Sequence, residues 1–246
     1  MPPQADQGPE VRIFNAHAAQ FDLHEVARAV PMGGKFRVEG VSWDGPPESL
    51  ELDRFNVFAP DAQLVVDGTK TIAPPRTAYF RGQVEGRPET LAVLSVNEAG
   101  DRVLGIITDP RGVWLLFRRD GQLVSQKAEM VAGTFAKPFT CTARPVPDGA
   151  GALAVAEDLA SSLALEEPLT AAVAASYTAR VAIETDYEFF SIFGGEQAAT
   201  AYIGDLIAYA SSIYQREVNT NLQVGYSRLW TQGGASDPWN ANSNPG

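Results

Sequence analysis

With 246 residues, 45% of them hydrophobic and 20% charged, the chain is long enough for one large domain or two small ones, and its composition excludes a disordered or collagen-like protein. Nineteen Lys and Arg against 30 Asp and Glu give a net charge of -11, which opposes a sequence-independent grip on nucleic-acid phosphates or anionic lipid, so nucleic acid is not an expected partner. A single Cys excludes an internal disulfide, and two His, His17 and His24, leave few imidazoles for a metal site.

The opening MPPQADQGPEVRIF has neither the basic stretch nor the apolar stretch of a signal peptide, and no apolar run approaches the roughly 18 residues needed to span a bilayer. No signal peptide and no transmembrane segment are therefore expected within these residues. His24-Glu25-Val26-Ala27-Arg28 begins like HExxH, but Arg28 stands where the second zinc-binding His belongs. The expected structure there is a surface helix with Phe21, Val26 and Val30 turned inward. Gly33-Gly34-Lys35 lacks the earlier Gly and the following Ser or Thr of a phosphate-binding loop.

From about Phe36 to Gln126, the runs FRVEGVS, LELDRFNVF, AQLVV, ETLAVLSV, RVLGIIT and GVWLLF are separated by DGPP, PD, DGTK, EAGD, DPRG and RDG. Breaks at such close spacing suit hairpins, because parallel strands need long connections. Residues 1–132 are thus predicted to form an antiparallel β-rich domain. Residues 133–176 join the Pro-containing KPFTCTARPVPDG to an Ala-rich stretch with too few large apolar side chains for its own core, and read as a linker with one short helix. The charge balance changes near here: residues 1–150 hold 16 basic and 19 acidic side chains, residues 151–246 hold 3 and 11.

In residues 177–246, ARVAIET is a β-branched run and Gly194-Gly195 a break. Glu196 to Val218 then places Ala199, Tyr202, Ile203, Leu206, Ala210, Ile213 and Tyr214 on one helical stripe, with Asp205, Ser212 and Arg216 opposite. Leu222, Val224 and Tyr226 alternate with polar residues as in a half-buried strand. Strand, helix and strand make a β-α-β unit with parallel strands, expected to be right-handed. A single such unit leaves its sheet incompletely covered, and the Gly, Asn, Ser and Pro that follow Trp230 suggest no further strand, so this domain is expected to be only begun here.

Few residues carry recognisable chemistry. There is no GxSxG elbow, and two His near the start give little support to a Ser-His-Asp triad. Carboxylates such as Glu48, Glu51, Asp53, Glu166 and Glu167 read as solvated surface. Cys141 has two readings: a small buried hydrophobe, or a thiolate favoured by Lys137 and Arg144 in an extended segment and able to bind metal.

LELDRFNVFAPD (50–61), YFRGQVEGRPETLAVLSV (79–96) and RVLGIIT resemble the pro-region of adamalysin/reprolysin-type zinc metalloproteases, the metzincin group that includes the ADAM proteins; its mark is an aromatic-x-G-x-V-x-G core. VAIETDYEFF, the helix ending SSIYQREVNTNLQVGYSRLW, and Asp237-Pro238-Trp239 are similar to the opening of that family's catalytic domain. The resemblance implies an α+β chain: an antiparallel β-rich pro-domain followed by an incomplete α/β catalytic domain represented by its first β-α-β unit. It implies the N-terminal portion of a latent, secreted or cell-surface zinc endopeptidase acting on protein or peptide substrates. The ligands of Zn2+ would come from an HExxHxxGxxH helix downstream of this chain, which alone should be inactive. It also implies contact between pro-domain and catalytic domain, and for Cys141 the role of an inhibitory "cysteine switch" ligand, although Thr142 follows it where Gly is common. Arg180 stands where the family has a calcium-binding Glu, so no calcium site is implied. The alternative is a non-catalytic binding or inhibitory module derived from such a pro-region.

Overall fold

The runs with apolar residues at every second position are strands in the computed structural model, which describes residues 12–15, 29–43, 45–100, 102–119, 122–128 and 177–239. In chain order they are β1 (Arg12–Asn15), β2 (Lys35–Val41), β3 (Glu48–Phe55), β4 (Phe58–Val66), β5 (Lys70–Ile72), β6 (Thr77–Val84), β7 (Arg87–Asn97), β8 (Val103–Asp109), β9 (Gly112–Arg119) and β10 (Gln122–Lys127). Then come β11 (Tyr177–Glu184), helix α1 (Tyr187–Phe193), helix α2 (Glu196–Val218) and β12 (Thr220–Leu229). The described residues are α+β and mostly antiparallel, as the sequence predicts.

One sheet has eight strands in the order β1-β2-β3-β6-β7-β8-β9-β10, antiparallel throughout except for β1 beside β2. It curls: Ser125 of β10 donates to the Ser42 carbonyl just past β2 at 2.8 Å. The concave side holds a core that includes Phe36, Leu50, Leu52, Phe80, Leu94, Ile107, Trp114 and Leu116, with the Phe36 and Phe80 rings 4.8 Å apart. In β8 the alternation is complete, and Val103, Gly105, Ile107 and Asp109 are its buried set. In β7, Thr90 to Val96 are all buried, because Ala92, Leu94 and Val96 join that core while Leu91 and Val93 join a second cluster with α2 on the other face. A nearly unbroken apolar run is what a strand covered on both faces requires.

The second sheet has the order β11-β12-β4-β5. Strands β11 and β12 pair in parallel across α2, the predicted β-α-β arrangement. The next strand comes from far back in the chain: β4 pairs in parallel with β12, Gln63 opposite Tyr226 and Val66 opposite Leu229, and β5 closes the hairpin with β4. The run LELDRFNVF, predicted as one strand, is divided at Asn56-Val57 between the two sheets. Pro60-Asp61, predicted as a break, lies inside β4, where the register jumps from Phe58 to Gln63 and no ladder N–H is required of Pro60.

Asp186 caps α1 by accepting from the Phe189 N–H at 2.7 Å, and Gly194, left-handed at φ 64°, ends it. Helix α2 lies between the two sheets. Its buried residues are mostly small: Ala199, Thr200, Ala201, Ile203, Gly204, Asp205, Ala208, Ser211 and Ser212. The predicted inward stripe is thereby corrected. Ala199 and Ile203 are buried as expected, but Tyr202, Leu206 and Tyr214 are 42%, 55% and 49% exposed, whereas Asp205 and Ser212, expected on the solvent side, are buried. A helix flanked by two sheets needs short side chains wherever a backbone approaches, and its large ones turn to the open side. The buried hydroxyls are satisfied locally, Thr200 donating to the Glu196 carbonyl and Ser212 to the Ala208 carbonyl, each at 2.7 Å, while Ser211 Oγ accepts from the Leu222 N–H at 2.9 Å.

Candidate functional site

The richest assembly of polar groups joins residues 55–111 to residues 177–231. At its centre is the β4–β12 ladder, extended by the Val224 N–H donating to the Val57 carbonyl at 2.8 Å and the Asp67 N–H donating to the Leu229 carbonyl at 2.9 Å. Asp67, held at φ 50° in the turn after β4, then accepts from both the N–H and the hydroxyl of Thr231, at 2.8 and 2.6 Å. Lys70 on β5 meets Glu196 in the first turn of α2 at 2.7 Å, where the carboxylate also favours the helix N-terminus. Thr108 on β8 and Tyr209 on α2 share a hydrogen bond of 3.1 Å.

Arg180 reaches Asp61 across β12, with a shortest contact of 2.9 Å. The crossing needs Gly225: a Cβ there would stand 2.8 Å from Arg180 Nε, and the ladder is irregular on both sides of this residue. Hydrogen bonding to Arg180 holds the exposed Asp61 carboxyl below the ordinary carboxylate range. Arg180 is therefore an ion-pair position in this fold.

The buried part of the contact is Asp205. Its Oδ2 accepts from Arg102, which precedes β8, while its Oδ1 has no hydrogen-bond partner. Burial pushes this carboxyl above the ordinary range, against the opposing pull of the Arg102 charge. Beside it, burial and the Asp205 charge push the Tyr79 hydroxyl up. Tyr79 Oη is itself buried without a partner and lies where a Cβ on Gly204 would come, 2.0 Å away. An open cleft of about 520 Å3 runs past this cluster between Arg76, Asn97, Glu98 and Arg102 on one side and Gln197 on the other. Its Arg76 and Glu98 are paired at 3.0 Å.

These groups hold the two stretches of chain together. Among the described residues no three His, Cys, Asp or Glu gather into a metal-binding group, and no helix is long and apolar enough to cross a membrane. Cys141, His17 and His24 lie outside the described residues. Glu48, predicted as a solvated carboxylate, pairs with Arg87 at 3.2 Å. Gly33 and Gly34 form a tight turn whose N–H groups donate to the Arg54 and Pro31 carbonyls, which leaves neither for phosphate. Sequence reasoning missed Asp205 and Arg102 as partners, although a carboxylate following Gly204 in a helix of small residues was the available signal.

No protein-family model matches the chain, and no curated protein matches it in sequence.

Proposed function

We propose that this chain is the N-terminal portion of a latent zinc-dependent metalloendopeptidase of the metzincin group, with residues 1–132 as pro-domain and residues 177–246 as the start of the catalytic domain. The observation that most supports the reading is that the two stretches that resemble the family, in the family's order, share a sheet through β4 and β12 and flank α2 from both sides. Within the aromatic-x-G-x-V-x-G stretch, Phe80 and Val84 are buried and Gly82 sits against backbone, so those residues carry the fold. The outer position of β11, with Val181 and Ile183 only half-buried, leaves an edge to which the strands of a larger catalytic domain add.

The residues described here do not form a zinc centre, so no step of peptide hydrolysis is assigned to them. Their part is to hold: β4, β5 and the β7–β8 connection grip β12 and α2 through Asp67, Lys70 and Arg102. Cys141 is proposed as the inhibitory ligand between the two domains, and the complete protein as secreted or cell-surface.

The test is a precursor extended past Gly246. It should carry HExxHxxGxxH, bind zinc, and cleave a protein substrate once residues 1–176 are removed. In that precursor Cys141→Ala should give activity before any processing, read by hydrolysis of a quenched peptide; unchanged latency would assign the thiol to packing. A reading frame that ends at Gly246 without the motif would overturn the enzyme reading. The chain would then stand as a binding module, expected to slow a metalloprotease catalytic domain added in trans.

A further inference from the structure

Three carboxylates are buried among the described residues, and two of them are fully committed. Asp109 accepts from Arg87 and from the Arg111 side chain and backbone; Asp237 accepts from the Tyr187 and Trp239 N–H groups. Asp205 differs: one oxygen is bonded to Arg102 and the other to nothing, in a seam between α2 and the outer face of the eight-stranded sheet. The titratable and charged groups facing it are Tyr79 from β6 and Arg102 from the connection into β8, and Ser95 from β7 is a further polar neighbour. Arg102 offers incomplete compensation. Its side chain is 37% exposed, so solvent screens its charge, and its Nη1 has no partner either.

We propose that the Asp205 carboxyl is a proton-controlled clasp that seats α2 on the β6–β8 face, tight when it carries a proton and loosened when it is ionised. The direction follows from linkage. Burial raises the carboxyl above its value in an opened or unfolded chain, so the seated state binds the proton more readily, and seating is favoured as pH falls. The contribution is complete below the unfolded value, about 3.9, and is lost as pH rises through the higher folded value. Acid therefore tightens this contact, opposite to the usual effect on a salt-bridged Asp. On the zymogen reading, which this inference deepens, the clasp sets how firmly the pro-domain holds the start of the catalytic domain, and a rise in pH through the folded value relaxes it. The clasp itself needs only the residues of this chain.

The test is amide hydrogen exchange on the purified 246-residue chain, following residues 199–212 of α2 with Ala92 to Val96 of β7 as internal reference. After correction for intrinsic rates, the opening constant of α2 should rise with pH by up to about tenfold per unit between the unfolded and folded values of Asp205. Asp205→Asn, which keeps the shape and removes the charge, should abolish that rise and be no more open than wild type near pH 7. A parallel slope in Asp205→Asn, or greater opening of the variant at every pH, would overturn the clasp and leave Asp205 as an ordinary ion-pair partner. If the variant does not fold, carboxyl-carbon NMR titration of Asp205 in the wild-type chain decides: a midpoint above the ordinary range supports the clasp, one at or below it overturns it. Neither readout depends on protease activity, so failure of the zymogen reading would not be mistaken for failure of the clasp.

Discussion

Gly82→Ala is expected to lower stability by about 3 kcal/mol or more, well beyond what a strand glycine normally controls. In an open strand the same change would gain a few tenths to about 1 kcal/mol, because Gly is entropically unfavourable there. At Gly82 the added Cβ would stand 1.8 Å from the Glu51 carbonyl oxygen and 3.0 Å from Leu52 Cα, all backbone of β3. No rotamer relieves such a contact, so β3 and β6 would have to separate. Gly225→Ala is the natural control. Its Cβ meets Arg180 Nε at 2.8 Å, but the Arg180 side chain is flexible and half exposed and can swing away, so only a solvent-screened surface pair with Asp61 is lost and the urea midpoint should stay close to wild type. Urea melts of the two variants check the pair of expectations; equal midpoints would mean that β3 and β6 do not approach this closely.

Gly204→Ala should also be destabilising, by about 1–3 kcal/mol, despite the roughly 1 kcal/mol that Ala usually gains over Gly in a helix. The new methyl would lie 2.0 Å from Tyr79 Oη and 3.1 Å from Phe58 Cε2. Tyr79→Phe removes the offending oxygen, which is buried without a partner, so this variant alone should be neutral or stabilising by up to about 1 kcal/mol. Combined, the two changes should recover most of the loss, with a coupling energy of about 0.5–3 kcal/mol in a double-mutant cycle. Tyr79 and Gly204 belong to the two halves that the sequence separates, and additive effects would show that α2 does not rest on β6.

Much of the β architecture is legible because periodicity and turn chemistry agree: the DGTK, EAGD and DPRG breaks fall at the β4–β5, β7–β8 and β8–β9 turns as expected. The pairing of β4 with β12 is not legible, since nothing local in AQLVV distinguishes a strand that joins its sequence neighbours from one that joins residues much further on. Strand β6 escapes the eye because Arg81, Gly82 and Gln83 interrupt its apolar pattern, and Gly82 is there for close approach. Helix α2 is recognised and its inner face misjudged, because residue size identifies a core face only when one neighbour is to be covered. The contact cluster is harder still. Asp205 acquires its character from Tyr79, Ser95 and Arg102, which lie on three different stretches of chain.

The union of β4 with β12 has a consequence for biosynthesis. Val66 and Leu229 are partners separated by about 160 residues, and closing a loop of that size costs on the order of 4–5 kcal/mol of chain entropy before any contact rewards it. Antiparallel neighbours from β6 to β10 can zip as they leave the ribosome. The β4–β5 hairpin cannot find its place until β12 has been made. During that interval its edge is bare, Leu64 and Val66 have no cover, and a neighbouring copy of the same hairpin is an available substitute. Chains truncated ahead of Thr220 should therefore aggregate through residues 58–72, whereas chains that reach Leu229 bury that edge within themselves.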